Sequence, residues 1–274
     1  PDRRGYYTGT LNAGGMERTY LLRIPPDYDP AQPMALVLAY HGLSMDAGDM
    51  NGISILNTLA DKESFLLAYP QGISSSWNAG NCCAIALADR VDDVAFTRLV
   101  IEDIAGHVNL DRARVYATGF SNGAMMVYRL ACELADQIAA IAPVSAAPQV
   151  LSCNPSQPVS VIHFHGDADI FYPYEGGAGV LIDNPDRMSV EEGLALWVGF
   201  DGCPSQAQES QEGNIVHRTY APCQGGTSVE LYKILGGEHA WPGGKAVSEE
   251  VGVPTEEIEA SALMWEFFAS HPRQ

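Results

Sequence analysis

Ser121 stands in Gly119-Phe120-Ser121-Asn122-Gly123, between an apolar run that reads as a strand and another that reads as a helix. At such a junction a serine hydroxyl can act as a nucleophile: the tight turn lifts it clear, and glycines two residues to either side let strand and helix close together. The five-residue pattern alone is common among turns, so its weight comes from the elements flanking it. A hydroxyl is a weak nucleophile. It needs a histidine to take its proton and a carboxylate to fix that histidine's tautomer. In open α/β sheets these arrive on loops beyond later strands, in the order serine, acid, histidine. His163-Phe164-His165-Gly166-Asp167-Ala168-Asp169 leaves an apolar strand and offers Asp167 and Asp169. Gly236-Gly237-Glu238-His239-Ala240-Trp241-Pro242 follows the last strand and offers His239. An aspartate after a strand is most often a turn residue, and a loop histidine is most often solvated. The two together, after successive strands and in that order, favour the catalytic reading.

Acyl transfer also needs donors for the developing oxyanion. An early strand ends in His41-Gly42-Leu43, so the backbone N–H groups of Leu43 and Asn122 are the expected pair, with His41 shaping the turn. Trp77, Phe120, Tyr172 and Trp241 are the aromatic residues nearest these segments. Aromatic walls suit a planar acyl group or a sugar ring; the plainer alternative is that two or more are core. A rival chemistry lies in His163 and His165, which alternate on a strand ahead of Asp167 and could ligate a catalytic metal. That face is expected to pack beneath a helix, and a metal would leave Ser121 and His239 unexplained. No metal and no cofactor is therefore expected. His107, His217 and His271 fall on a helix, an alternating segment and the tail, where structural or exposed roles are expected.

These residues need a scaffold. Residues 6–11 and 18–24 read as strands joined by a turn at Asn12-Ala13-Gly14-Gly15. Residues 34–40 form a continuous apolar run, the pattern of a parallel strand buried on both faces. Further strands are expected at 65–69, 114–119, 138–145, 159–165 and 229–234. Helices are expected at 53–62, from 91 to 107, after Ser121, at 190–200 and at 255–269, with 72–88 as loop. Strands alternating with helices imply a mainly parallel sheet with helices on both faces.

The chain of 274 residues is 46% hydrophobic and 18% charged, a globular composition that suits a single domain over 1–274. Fifteen Lys and Arg against 34 Asp and Glu give a formal charge of −19, which repels nucleic acid and anionic membrane surfaces. Neither nucleic acid nor membrane is expected as a partner, and a monomer is expected. No apolar run approaches the roughly 18 residues of a membrane span. Six cysteines fit three disulfides and an exported, extracellular protein. Cys203 and Cys223 bracket a polar stretch that a bridge would tie down, and Cys132 could reach Cys153. Cys82 and Cys83 either bridge each other or pair elsewhere. Zinc is disfavoured, because no cysteines stand two residues apart in pairs.

Taken together, the Ser121 elbow, Trp77-Asn78-Ala79-Gly80-Asn81-Cys82-Cys83, Val91-Asp92-Asp93-Val94, the segment from His165 to Asp169 and the segment from Gly236 to Gly243 resemble the secreted feruloyl esterase and polyhydroxybutyrate depolymerase-like family of α/β-hydrolases. The likeness spans nearly the whole chain. It implies the α/β-hydrolase fold and a serine esterase, and it selects Asp169 over Asp167 as the acid, with His239 as the base. Where the family often carries Cys, this chain has Leu43, which leaves a backbone role intact. Members divide among feruloylated polysaccharides, polyesters and acetylated sugars. An aromatic acyl ester is the expected substrate, with a polyester or acetylated xylan as the alternative. A non-catalytic binder on the same fold is disfavoured by the presence of all three triad residue types.

Overall fold

The computed structural model describes residues 5–150, 152–181, 184 and 186–273. The chain opens with a hairpin of β1 (Gly5–Ala13) and β2 (Met16–Ile24), turning at Gly14 and Gly15, both at positive φ. Next come β3 (Met34–Tyr40), α1 (Ala47–Ser54), α2 (Leu56–Glu63), β4 (Leu66–Pro70) and the short α3 (Ala84–Ala88). Then follow α4 (Asp93–His107), β5 (Leu110–Phe120), α5 (Asn122–Glu133), β6 (Ala140–Val144), β7 (Ser160–Gly166) and α6 (Val190–Phe200). A hairpin of β8 (Gln208–Glu212) and β9 (Ile215–Tyr220) precedes β10 (Val229–Ile234), and α7 (Ala260–Ser270) closes the chain.

Among the described residues, ten strands form one sheet in the order β1-β2-β4-β3-β5-β6-β7-β10-β9-β8. Pairings from β4 through β3, β5, β6 and β7 to β10 are parallel, and the hairpins at the two edges are antiparallel. The apolar run of β3 shows why its pattern is continuous. Leu36, Leu38 and Tyr40 join a core with Phe96 and Ile104 of α4, Met126 and Leu130 of α5, and Trp197 of α6. Their neighbours Ala35, Val37 and Ala39 join a second core, on the other face, with Met50 of α1, Leu56 of α2 and Phe268 of α7. Successive side chains point to opposite faces, so a strand covered on both sides must be apolar throughout.

Four expectations are adjusted. The helix expected at 53–62 is two helices, because Ile55 adopts a left-handed conformation at φ 53° and breaks the ladder between them. The 72–88 loop contains α3, and α4 starts at Asp93, capped by Asp92, rather than at Val91. The closing helix starts at Ala260, so the acidic residues from 256 lie ahead of it. The β8–β9 hairpin was not anticipated: every residue of β8 is exposed, so no apolar alternation marks it.

The cysteines pair as Cys82–Cys83, Cys132–Cys153 and Cys203–Cys223. The second bridge fastens α5 to the segment leading into β7, and the third closes the loop that contains the edge hairpin. A buried ion pair, Arg18 of β2 to Asp93 at 2.8 Å, tethers α4 to the sheet. The other oxygen of Asp93 accepts from the Asn78 N–H at 2.8 Å, so the pair also anchors the loop that approaches Ser121. Burial pushes the Asp93 carboxyl up, and the Arg18 guanidinium opposes that shift.

Candidate active site

Ser121 lies between β5 and α5 with φ 54° and ψ −116°, a strained conformation for a residue with a side chain. Its N–H donates to the Val144 carbonyl of β6 at 2.9 Å, which secures the turn. The flanking glycines are sterically required. A Cβ on Gly119 would stand 2.4 Å from the Gly123 backbone, and one on Gly123 would stand 2.1 Å from the Tyr40 oxygen. The elbow therefore works only because helix, nucleophile strand and β3 touch backbone to backbone.

The acid and base turns follow β7 and β10, which are parallel neighbours, so their carboxyl ends lie side by side. They are also stitched together. Ala168 N–H donates to Gly237 O at 2.9 Å, and Gly236 N–H donates to Asp167 Oδ1 at 2.6 Å. A Cβ on Gly166 would meet the Gly237 oxygen at 2.1 Å, which explains the glycines at this seam. Within it, His239 Nδ1 and Asp169 Oδ2 are 2.7 Å apart, both residues buried. An ionised carboxylate can only accept, so Nδ1 carries the proton and Nε2 keeps its lone pair for the nucleophile. Asp169 Oδ1 accepts from Phe171 N–H at 2.9 Å and Tyr172 N–H at 2.8 Å, leaving the carboxylate little freedom to rotate. Phe120 and Phe171 pack against the His239 ring, with centroids at 4.8 and 5.2 Å.

Asp167 serves the seam instead. Besides receiving Gly236 N–H, it lies 3.6 Å from Lys233 Nζ and is partly solvated. The structure thus brings Asp169, and not Asp167, to His239.

Leu43 and Asn122 line the same cleft as Ser121 and His239. Asn122 is the first residue of α5, so its N–H has no acceptor within the helix, as an oxyanion donor requires. Its side chain is locked, with Oδ1 accepting from Trp77 N–H at 2.7 Å and Nδ2 donating to Trp77 O at 3.1 Å. Trp77 Nε1–H in turn donates to His41 O at 2.9 Å. The His41 ring closes this bracket: Nδ1 lies 2.8 Å from Gly42 O, and Nε2 accepts from Gly72 N–H at 3.0 Å. Burial holds the His41 ring below its ordinary pKa, consistent with a neutral structural role.

The cleft opens to solvent. Of the four aromatic residues expected on its walls, Phe120 and Tyr172 are there and two are not. Trp77 is fully buried, edge-on to Tyr40 at 5.0 Å, and serves the oxyanion loops from behind. Trp241 is buried in the core beneath the base loop, its Nε1–H donating to Ser261 Oγ at 3.0 Å. Pro242 follows at once, but the loop turns the indole inward. Several wall residues escaped sequence reasoning, chiefly Met45, Met125, Phe171, Leu181 and Arg187. Phe171, two residues beyond the acid, had a readable signal, because the turn that delivers Asp169 delivers its neighbours as well. Leu181 and Arg187 come from a polar loop with no periodicity to place them. Arg187 donates to Gly177 O and Phe171 O and covers the Tyr172 ring at 4.6 Å, bracing that loop.

His163 and His165 do share a strand face beneath a helix. Their rings bond to each other, to Tyr128 of α5 and to the Tyr172 carbonyl, so their nitrogens are occupied by hydrogen bonds. Among the described residues, no three His, Cys, Asp or Glu side chains group to hold a metal ion.

Comparison with known proteins finds esterases among the relatives of this chain. Feruloyl esterase B of Piromyces equi is 30% identical over 239 residues, which is 83% of this chain and 44% of that protein. This chain therefore spans less than half of that relative's length. A putative esterase, NocK, of Nocardia uniformis subsp. tsuyamanensis is 32% identical over 84% of this chain and 72% of its own. Feruloyl esterase C of Emericella nidulans is 32% identical over 68% of this chain and 71% of its own. Among solved structures, an acetyl xylan esterase from Aspergillus awamori superposes with a TM-score of 0.66, covering 96% of this chain and 99% of its own at 15% identity, a likeness of fold. No protein-family profile matches the chain.

Proposed function

Because the chain belongs to the feruloyl esterase family of α/β-hydrolases, we propose that it hydrolyses hydroxycinnamoyl esters of plant cell-wall polysaccharides through an acyl-enzyme on Ser121. The observation that carries this reading is the 2.7 Å bond between Asp169 and His239, set in the same cleft as a serine held in a strained elbow. His239 Nε2 takes the proton as Ser121 Oγ bonds to the ester carbonyl carbon, and the oxyanion draws on the Leu43 and Asn122 N–H groups. When the tetrahedral intermediate collapses, the bond to the alcohol oxygen breaks and His239 passes that oxygen its proton. Water, deprotonated by His239, then attacks the acyl carbon, and Ser121 recovers its proton as the acid leaves.

Substrate choice rests on the walls. Phe120, Phe171, Tyr172, Met45 and Met125 make an apolar, partly aromatic wall suited to a planar ring. Apolar side chains exposed at the mouth, Leu181 and Val247, would also suit an apolar polyester as the alternative. Residues 1–274 act in this reading as one catalytic domain and as a monomer. Three disulfides support an extracellular site of action.

The test is turnover of methyl ferulate, p-nitrophenyl acetate, hydroxybutyrate oligomers and acetylated xylan by wild type and Ser121→Ala. The aromatic ester should have the highest kcat/KM, and the variant should lose on the order of a millionfold in kcat. An active Ser121→Ala would remove the acyl-enzyme, and a preference for acetylated xylan or hydroxybutyrate oligomers would reassign the substrate.

A further inference from the structure

Behind Asp169 lies a buried file of polar side chains that the catalytic cycle does not use. Tyr128 Oη is 2.8 Å from His163 Nδ1, His163 Nε2 is 3.2 Å from His165 Nδ1, and His165 Nε2 is 2.8 Å from the Tyr172 carbonyl. The same His165 nitrogen is 3.5 Å from Asp169 Oδ2, and none of Tyr128, His163 and His165 is exposed beyond 1%.

The direction of every bond follows from its last member. A carbonyl and a carboxylate can only accept, so His165 Nε2 carries a proton. Burial holds both rings below their ordinary pKa, hence neutral, so His165 Nδ1 is then an acceptor. His163 must therefore donate from Nε2 and accept at Nδ1. Tyr128, whose phenol burial keeps protonated, is the hydroxyl that supplies that last donor. The result is a one-way chain of donors running from α5 to the acid turn.

We infer that His165 is a positioning residue for the proposed catalytic acid, its tautomer fixed by Tyr128 and His163 so that Nε2–H clamps the Tyr172 carbonyl and faces Asp169. The clamp acts through a closed turn. Tyr172 N–H donates to Asp169 Oδ1, while Tyr172 O receives His165, so the residue that orients the carboxylate is itself held at its other end. Replacing His165 with an apolar side chain frees that carbonyl and strands the His163 N–H. The turn can then drift, and a carboxylate displaced by a fraction of an ångström no longer fixes His239. The file also joins the two halves of the site, because Tyr128 stands two helical turns along α5 from Ser121.

This inference rests on the triad reading, so the test includes Ser121→Ala beside His165→Leu and His165→Gln. Glutamine can place an amide N–H near the His165 Nε2 position and so keep the donor to the Tyr172 carbonyl; leucine removes it. His165→Leu should lower kcat by about 10- to 100-fold with KM little changed, the range seen when outer partners of a working group are lost. His165→Gln should stay within about threefold of wild type, the loss expected if the hydrogen bonds and not the ring carry the effect. Nitrogen-15 shifts of the histidine rings should show His163 and His165 neutral, each with its proton on Nε2. The positioning role is overturned by wild-type kcat in His165→Leu, by equal losses in the two variants, or by a proton on His165 Nδ1. Failure of the triad reading is separately visible as an active Ser121→Ala.

Discussion

Two aspartates two residues apart leave the same strand, yet only one meets His239. Asp169 accepts two backbone N–H groups on one oxygen and His239 on the other, whereas Asp167 receives Gly236 and faces Lys233 beside solvent. An amide at 169 could present its NH₂ to Nδ1 and so favour the wrong tautomer of His239. Asp169→Asn should accordingly lower kcat by roughly ten-thousandfold. Asp167→Asn keeps an oxygen for Gly236 and should remain within about tenfold of wild type, since it loses only a weak, solvated ion pair. Steady-state kinetics on one aromatic ester checks both; a comparable kcat for Asp169→Asn and wild type would move the acid elsewhere. Spacing alone could not separate these residues, because both lie in a turn and turn dihedrals are invisible in a residue string. The family resemblance chose Asp169, and the hydrogen bonds give that choice a physical reason. The positioning role of His165 was less legible still, since a histidine that ligates and a histidine that braces are spelled the same way.

At the scale of elements, most of the sheet was readable because its central strands are covered on both faces and its helices follow in alternation. What was not readable involved elements with little buried surface, such as β8, or a single unusual backbone angle, such as that of Ile55. The base loop illustrates the limit. Proximity in sequence puts Trp241 beside His239, and proximity to the cleft was the natural expectation. The indole instead bonds to Ser261 of α7, whose hydroxyl reaches the Ser54 carbonyl at the end of α1, so this tryptophan fastens the loop to two helices. Trp241→Ala should cost about 3–5 kcal/mol of stability, as large buried aromatics do. Turnover of aromatic and acetate esters should fall by similar factors, because the loop and not a pocket wall is disturbed. Melting temperature and kinetics on both esters check this. A KM rise confined to the aromatic ester, at unchanged melting temperature, would return Trp241 to the cleft.

Across the whole molecule, two contributions to stability should decline as pH rises from about 4 to about 7, against the opposite contribution of the buried neutral rings of His41, His163 and His165, and the two can be separated. One is general: a chain with formal charge −19 repels itself more as its carboxyls ionise, and salt screens surface charge over roughly 8–10 Å. The other is local. Asp201, at the end of α6, is fully buried; its Oδ1 accepts from Val159 N–H at 3.1 Å, and its Oδ2 accepts no well-formed hydrogen bond, the Thr227 hydroxyl donating to Gln224 O instead. Burial pushes this carboxyl up to about 7, with the Val159 N–H and the Thr227 side chain opposing only in part. A pKa raised in the folded state means that the folded chain holds its proton where the unfolded chain has lost it. The Asp201 contribution is therefore greatest below the unfolded value of about 3.9, falls between there and about 7, and is flat above. Three pH units correspond to a loss on the order of 4 kcal/mol. Asp201→Asn retains an acceptor for Val159 and cannot ionise, so it should be more stable than wild type at pH 8 and nearly equal to it at pH 4. Because Asp201 is shielded from solvent, that difference should persist in 1 M salt, while the general repulsion fades. Urea unfolding of both proteins at pH 4 and pH 8, with and without salt, makes the comparison. A gain at pH 8 that disappears with salt would assign the whole effect to surface charge.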